Sequence, residues 1–194
     1  MTYCDAAALK RYLNITVSTD DTLLGECISR AQALIDVTCN RTFEAATDST
    51  RTFDALVDVG EDHRLLWLDA DLCAITSVTN GDGTTVAADA YTPMPRHATP
   101  WYALQLKRGG AVSWTYEAAP EDALTVVGRW AYSVSAPTAI VQACVRLAAW
   151  LYRQKDSNAD PGAPRVTPEG TWIMPSALPK DVEALLKPFR RIAT

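Results

Sequence analysis

The spacing of apolar residues changes twice along the chain, from a helical period to a strand period and back. A short segment from about Asp5 to Tyr12 and a longer one ending near Thr38 carry apolar residues three and four positions apart, the spacing of one helix face. Thr19 is a good N-cap for the second segment, and the aspartates after it favour the helix dipole. The N-terminal part is therefore predicted to be a pair of amphipathic helices.

In the middle of the chain, between about residues 50 and 132, apolar and polar residues alternate. This is the period of a strand with one buried face. Segments 102–106 and 112–116 alternate around Gly109-Gly110 and predict a β-hairpin, and Asn-Gly-Asp-Gly at 80–83 is a strong turn signal. A last strand ends with Gly128-Arg129-Trp130-Ala131-Tyr132. We expect a small antiparallel sheet or barrel of about six strands.

A long helix, which is predicted to start after Pro137 and to end near Asp156, is apolar almost all round. One stripe of apolar residues at helical spacing is predicted to face the hydrophobic core, and Val141, Val145 and Tyr152 widen this stripe on one side. A helix with so little polar surface is usually covered on more than one side. Because the chain is small, we expect this second side to contact a neighbouring subunit.

This order of elements predicts an α+β fold, in which both chain ends form a helical bundle and a mainly antiparallel β region is inserted between them. The expected parts are an N-terminal helix pair over residues 1–49 and a strand-rich insertion over residues 50–132. The long bundle helix takes residues 133–156, and an extended Pro-rich tail with a short C-terminal helix takes residues 157–194.

The tail has four prolines between residues 156 and 176. Its short helix starts near Pro179 and ends at Pro188, so it is too short to persist alone in water. We expect the tail to be mobile in the free protein and to become ordered on a partner, or alternatively to fold back on its own bundle. The candidate partner contacts are an apolar island and a basic cluster with its phenylalanine: Trp172, Ile173, Met174, Lys187, Phe189, Arg190 and Arg191.

Composition and charge narrow the function. With 194 residues, 48% hydrophobic and 21% charged, the chain resembles an ordinary soluble domain, and it contains no apolar run of the roughly 18 residues that span a membrane. A net charge of −5 does not predict a basic surface that binds the DNA backbone. An acidic surface would repel the phosphates, which is useful where DNA must pass without binding. The second helix has Arg30 as its one cation, which argues against a helix-turn-helix motif.

Residues that could carry chemistry are few. His63 and His97 lie in polar, loop-like settings without metal-ligand spacing, and Asp69 with Asp71 is expected to mark a turn. The glycines match no phosphate-binding motif. The five scattered cysteines are expected to be buried thiols in a reducing cytoplasm. We therefore expect no enzyme and no catalytic, metal or cofactor site.

Several of these segments together resemble the head–tail connector (adaptor, head-completion) proteins of long-tailed bacteriophages. Two positions differ from the family, because Ala131 and Asn40 stand where such proteins often have glycine. Asparagine tolerates the left-handed conformation that glycine would adopt. The resemblance covers both ends of the chain. The matching segments are residues 3–15, 20–24 and 33–43, the Gly128-Arg129-Trp130-Ala131-Tyr132 strand, the helix at 137–153 and the terminal residues 179–191.

The resemblance implies a non-enzymatic structural protein of the virion neck that is assembled in the host cytoplasm. It implies a ring, a dodecamer in the virion, that lies beneath the portal protein and joins the DNA-filled capsid to a tail or stopper protein. DNA would pass through its channel without specific binding, and the portal would be the acceptor of the tail residues. Two alternatives stay open: another neck or tail-completion protein, or a small cytoplasmic enzyme or ligand-binding domain with a polar pocket.

Overall fold

The computed structural model describes residues 2–155, 165–166, 172–173 and 178–191, and the chain divides into two compact units. Residues 41–136 form one unit, which we call the sheet unit. Residues 2–40 and the described residues from 137 onward form the other, which we call the helical unit. Helices and antiparallel strands are both present, so the fold class is α+β, as the change of period predicted.

Two three-stranded antiparallel sheets make up the sheet unit, with strand orders β1-β6-β3 and β2-β5-β4. Their apolar side chains join in one hydrophobic cluster, in which Leu66, Leu104 and Leu124 are fully buried. The strands are β1 (Ser49–Phe53), β2 (Leu65–Leu72), β3 (Ala74–Thr79), β4 (Tyr91–Met94), β5 (Trp101–Leu106) and β6 (Leu124–Arg129).

Strand β6 shows how the alternating pattern becomes structure. Leu124, Val126 and Gly128 are buried, whereas the residues between them are half-exposed, which is the two-residue period of a strand. Glycine is required at position 128, because a Cβ there would lie 2.2 Å from the carbonyl oxygen of Ala74 on β3. The predicted last strand is β6, which lies between β1 and β3 at the centre of its sheet.

The predicted hairpin between segments 102–106 and 112–116 is wrong. Strand β5 pairs with β2 and β4 instead, and residues 112–115 form an extended loop. This loop is fixed by Asn80, whose Nδ2 donates to the carbonyl of Ser113 at 2.8 Å and whose Oδ1 accepts the Thr115 N–H at 3.0 Å. Trp114 is buried, and its indole donates to the Arg64 carbonyl at 3.1 Å. Of the alternating apolar residues in this segment, only Trp114 is buried, whereas Val112 and Tyr116 are 38% and 42% exposed.

Two shorter expectations in this unit are also wrong. Asp69 and Asp71 lie within β2 and not in a turn, and Asp71 is buried. The alternation of Phe53, Ala55 and Val57 predicts a strand through Val57, but Val57 lies in the turn after β1 and is 79% exposed. Local alternation identified an extended region here, but it did not identify the strand ends.

The helical unit contains four α-helices among its described residues. Helices α1 and α2 pack against each other and against α3, and α4 packs against α3 and α2. A two-residue antiparallel pair, β7 (Arg165–Val166) with β8 (Trp172–Ile173), belongs to the same unit. The helices are α1 (Ala6–Leu13), α2 (Asp21–Cys39), α3 (Thr138–Gln154) and α4 (Lys180–Leu186), which a 3₁₀ turn (Lys187–Phe189) follows.

Helix ends in this unit follow local chemistry. The Asp5 carboxylate accepts the Ala8 N–H at 2.5 Å and caps α1. Asn14 and Asn40 end α1 and α2 with φ of 57° and 51°, so Asn40 adopts the left-handed conformation expected of it. The N-cap residue of α2 is Asp20 rather than Thr19. None of the described helices combines the length and the hydropathy of a membrane span.

Candidate subunit and partner surfaces

The described residues present no constellation that suggests catalysis. His63 and His97 are exposed in loops, as expected. No group of three or more His, Cys, Asp or Glu side chains in the described part of the chain could hold a metal ion. Surfaces that could contact other proteins are candidate functional features of the chain.

The side of α3 that was predicted to meet a neighbouring subunit is only partly available. Val145 is 8% exposed, so most of its surface is already buried within the protomer. Val141 and Tyr152 are half-buried and still offer surface. Periodicity along one helix predicts a wide apolar stripe at Val145, but it contains no information on how many elements of the same protomer cover that stripe. Val141 and the Tyr152 ring remain the accessible part of this candidate interface.

Tyr152 also takes part in a polar cluster at the end of α3. Its hydroxyl donates to the Asp20 carboxylate, and Lys155 Nζ lies 2.5 Å from the same carboxylate and 2.8 Å from the Tyr152 oxygen. The hydrogen bond from Lys155, followed by that from Tyr152, lowers the pKa of Asp20 below its ordinary value of 3.8. The cluster links the start of α2 to the end of α3, so Tyr152 has a role within the protomer.

All five cysteines are free thiols and buried, as expected. The Sγ atoms of Cys4 and Cys144 are in contact at 3.1 Å. Hydrogen bonding with Cys4 and burial raise the pKa of the Cys144 thiol, while the bond with Cys144 lowers the pKa of Cys4. The contact joins the segment before α1 to the middle of α3.

The terminal helix α4 packs against its own helical unit. Val182 and Leu186 are fully buried, and Arg146 on α3 forms an ion pair with Asp181 at 2.9 Å. Beyond the helix, the Arg191 N–H donates to the Cys39 carbonyl at 2.8 Å. For residues 178–191 the structure therefore supports the fold-back alternative rather than a segment that is mobile in the free protein.

The candidate partner contacts of the tail are spread over several elements. Trp172 and Ile173 form β8, whose backbone pairs with β7, and Met174 lies outside the described residues. Lys187 is exposed and Phe189 half-buried in the 3₁₀ turn. Arg190 is exposed and pairs with Glu183 at 3.2 Å, whereas Arg191 is half-buried. Lys187 and Arg190 are thus the cations of this cluster that are most open to a partner.

Sequence reasoning missed two exposed apolar features of the sheet unit. Leu56 and Val57 are 57% and 79% exposed in the turn after β1. Trp67 and Tyr102 stack with ring centroids 6.2 Å apart, and nearly half of each side chain is exposed. No local pattern distinguishes these residues from buried strand positions, because exposure depends on which neighbouring strands cover them.

Comparison with known proteins gives a match of fold. No protein-family model matches the chain. No curated protein matches it either. A chain from the neck of an empty gene transfer agent (GTA) particle, computed with C6 symmetry, superposes with a TM-score of 0.59 at 18% identity and covers 97% of this chain and 90% of that chain.

Two other solved structures give similar results. A chain from the virion of a native GTA particle has a TM-score of 0.59 at 17% identity, with 97% of this chain and 90% of that chain covered. A chain from the neck of a native GTA particle, computed with C12 symmetry, has a TM-score of 0.55 at 17% identity over 97% and 92%. At these identities, the similarity establishes a shared fold.

Proposed function

We propose that this protein is a structural component of a virion neck. In this proposal it is a head–tail connector that forms a ring beneath the portal and joins the DNA-filled capsid to the tail or stopper. The observation that carries the proposal is the fold similarity over 97% of the chain to chains from GTA necks. The connector-like motifs at both chain ends support it independently, because they rest on residue types rather than on the superposition.

The net charge and the residue types of the chain agree with a channel through which DNA passes without specific binding. A net charge of −5 disfavours binding to a phosphate backbone, so DNA would pass without specific contacts. The described residues hold no metal-binding group, and both histidines are exposed in loops. A structural role requires neither a metal nor a catalytic base.

A ring also fits the comparisons. Two of the similar chains come from necks computed with C6 and C12 symmetry. Repeated head-to-tail contacts between identical subunits close into rings of this kind. We further propose that the helical unit is the bundle of the connector fold, and that Val141 and Tyr152 contact the next subunit while Val145 supports them from the protomer's interior.

For the portal contact we propose residues of the tail. The short strand β8 and the basic turn after α4 would provide apolar and charged contacts, respectively. Lys187 and Arg190 are exposed and would meet acidic groups of the portal. The proposed set is Trp172, Ile173, Met174, Lys187, Phe189, Arg190 and Arg191.

The test is reconstitution with the portal protein encoded beside the capsid gene of the same phage. Electron microscopy of the mixture should show an additional ring on the portal's tail-facing side. The double variant Lys187→Glu with Arg190→Glu should lose portal binding, whereas Lys180→Glu, at an exposed cation at the start of α4, should keep it. Co-purification with a tail protein but not with the portal would instead identify a tail-completion protein. Particles that form complete necks without this protein would contradict a neck role altogether.

A further inference from the structure

We propose that the acidic loop of the sheet unit in one copy, residues 54–62, inserts Leu56 and Val57 into a basic cavity on β4 and β5 of the next copy. This head-to-tail contact would be a second link between ring subunits, separate from α3. The inference rests on the proposed ring and identifies which surfaces close it.

The acidic loop holds its apolar tip in a defined conformation. Asp54 Oδ1 accepts the N–H groups of Leu56 at 2.6 Å and Val57 at 2.9 Å, and the Asp58 carboxylate accepts the Asp54 N–H at 2.8 Å. Leu56 and Val57 are nevertheless 57% and 79% exposed. An ordered loop loses little conformational entropy on binding, so an exposed apolar tip of this kind is suited to insertion.

All charged side chains of the loop are acidic. Residues 54–62 contain four carboxylates, Asp54, Asp58, Glu61 and Asp62, and no lysine or arginine. None of these carboxylates takes part in an ion pair within the described part of the chain. The apolar tip is therefore flanked by negative charge that a cationic partner surface would complement.

The matching surface is a cavity of about 260 Å³ in the same unit. Arg96, Lys107 and Arg108 are exposed at this cavity, and among the described residues none of them forms an ion pair. The cavity can accommodate a branched aliphatic side chain and is surrounded by positive charge. Its lining residues are Thr92, Arg96, Gln105, Leu106, Lys107 and Arg108.

The two surfaces involve different strands of one sheet. The acidic loop continues along the outer edge of β2, where the Trp67 N–H donates to the Asp58 carbonyl at 2.8 Å and Val59 pairs with Leu66. The cavity is lined by residues of β4 and β5, and the strand order is β2-β5-β4. Because each copy carries both complementary surfaces and they are formed by different residues, the contact is heterologous and can repeat around a ring.

The test uses charge reversal in the full-length chain, with self-association measured by sedimentation velocity at low ionic strength. A loop variant combines Val57→Lys with Glu61→Lys, and a cavity variant combines Arg96→Glu with Arg108→Glu. Each variant alone should associate at least about tenfold more weakly than the wild type, because like charges then face each other. An equimolar mixture should associate again, since each variant supplies the surface that the other needs.

The control combines Val37→Lys with Glu117→Lys. It alters an exposed valine and an exposed glutamate outside both surfaces, and should associate as the wild type does. All variants should have the melting temperature of the wild type, because every substituted residue is exposed. A wild type that stays monomeric at high concentration would overturn the inference, as would a mixture that does not associate. Rings that persist in both variants would overturn this contact. They would not affect the proposed neck function, because that function is tested separately by portal binding.

Discussion

Arg41 Nε lies 3.3 Å from Asp71 Oδ2, in a buried ion pair whose side chains are 15% and 9% exposed. The Arg41 guanidinium also lies 5.2 Å from the centroid of the Tyr132 ring, which contacts the Phe43 ring at 5.7 Å. Arg41 therefore ties the first residue of the sheet unit to strand β2 and to Tyr132, near the end of the unit. Removing one charge of such a pair leaves the other buried without its partner.

We expect Arg41→Ala to lower the free energy of unfolding by about 3–5 kcal/mol, because the buried Asp71 carboxylate would lose its ion pair with Arg41. Urea unfolding followed by tryptophan fluorescence measures this change. Arg30→Ala, which removes an ion pair with 66% and 51% exposed side chains, should cost less than about 1 kcal/mol. Equal effects of the two substitutions would show that the Arg41 pair does not stabilise the unit.

The two valines of the proposed α3 interface should respond differently to the same substitution. Val145→Glu should unfold or severely destabilise the protomer, because Val145 is 8% exposed and glutamate would bring a charge into the core. Val141→Glu should leave the melting temperature near that of the wild type and abolish ring formation on the portal. Circular dichroism and electron microscopy measure the two properties. Normal rings from Val141→Glu would exclude this side of α3 from the interface.

The docked position of α4 predicts a stability role that is separate from partner binding. Leu186→Ala should lower the free energy of unfolding by about 2–5 kcal/mol, because it leaves a cavity at a fully buried site. Portal binding measured below the melting temperature should be retained. Lys187→Ala, at the next and exposed position, should have the opposite profile of unchanged stability and weaker binding. If the free energy of unfolding of Leu186→Ala equals that of the wild type, α4 is not part of the protomer's core.

The Asp20 cluster predicts a pH-dependent contribution to stability. Since Lys155 and Tyr152 lower the pKa of Asp20, its stabilising effect is present above the ordinary value of 3.8 and is lost as the pH falls through the lowered pKa of the folded state. Asp20→Asn should therefore lower the melting temperature at neutral pH, and its difference from the wild type should disappear in acid. Thermal melts from pH 7 to about pH 2.5 test this window. A difference that grows with acidity would contradict the predicted sign.

The contact between Cys4 and Cys144 predicts a specific oxidation product. Hydrogen peroxide would convert the Cys4 thiolate to a sulfenic acid with release of hydroxide, and the Cys144 thiol would then attack that sulfur and release water. The expected product is a disulfide that lowers the mass by two hydrogens and joins two peptides in a digest. Cys4→Ser should prevent it, whereas Cys27→Ser should not. Oxidation at Cys27 or Cys39 in preference to this pair would contradict the prediction.

Local residue chemistry was sufficient to locate the helices. The three- and four-residue spacing predicted α1, α2, α3 and α4, and Asn40 ended α2 in the left-handed conformation expected for asparagine. Alternation also predicted β5 and β6 within the strand-rich region. These features depend on residues close in sequence, whose side chains and backbone groups determine a turn or a helix end on their own.

Tertiary structure alone decided how those elements are used. It paired β5 with β2 and β4 rather than with segment 112–116, which Asn80 holds as a loop. It placed Asp71 beside Arg41 inside the sheet unit, buried Val145, and left Leu56 and Val57 exposed. Whether an apolar side chain forms core or surface depends on which distant segments cover it, and the spacing of residues along one segment contains no information about that cover.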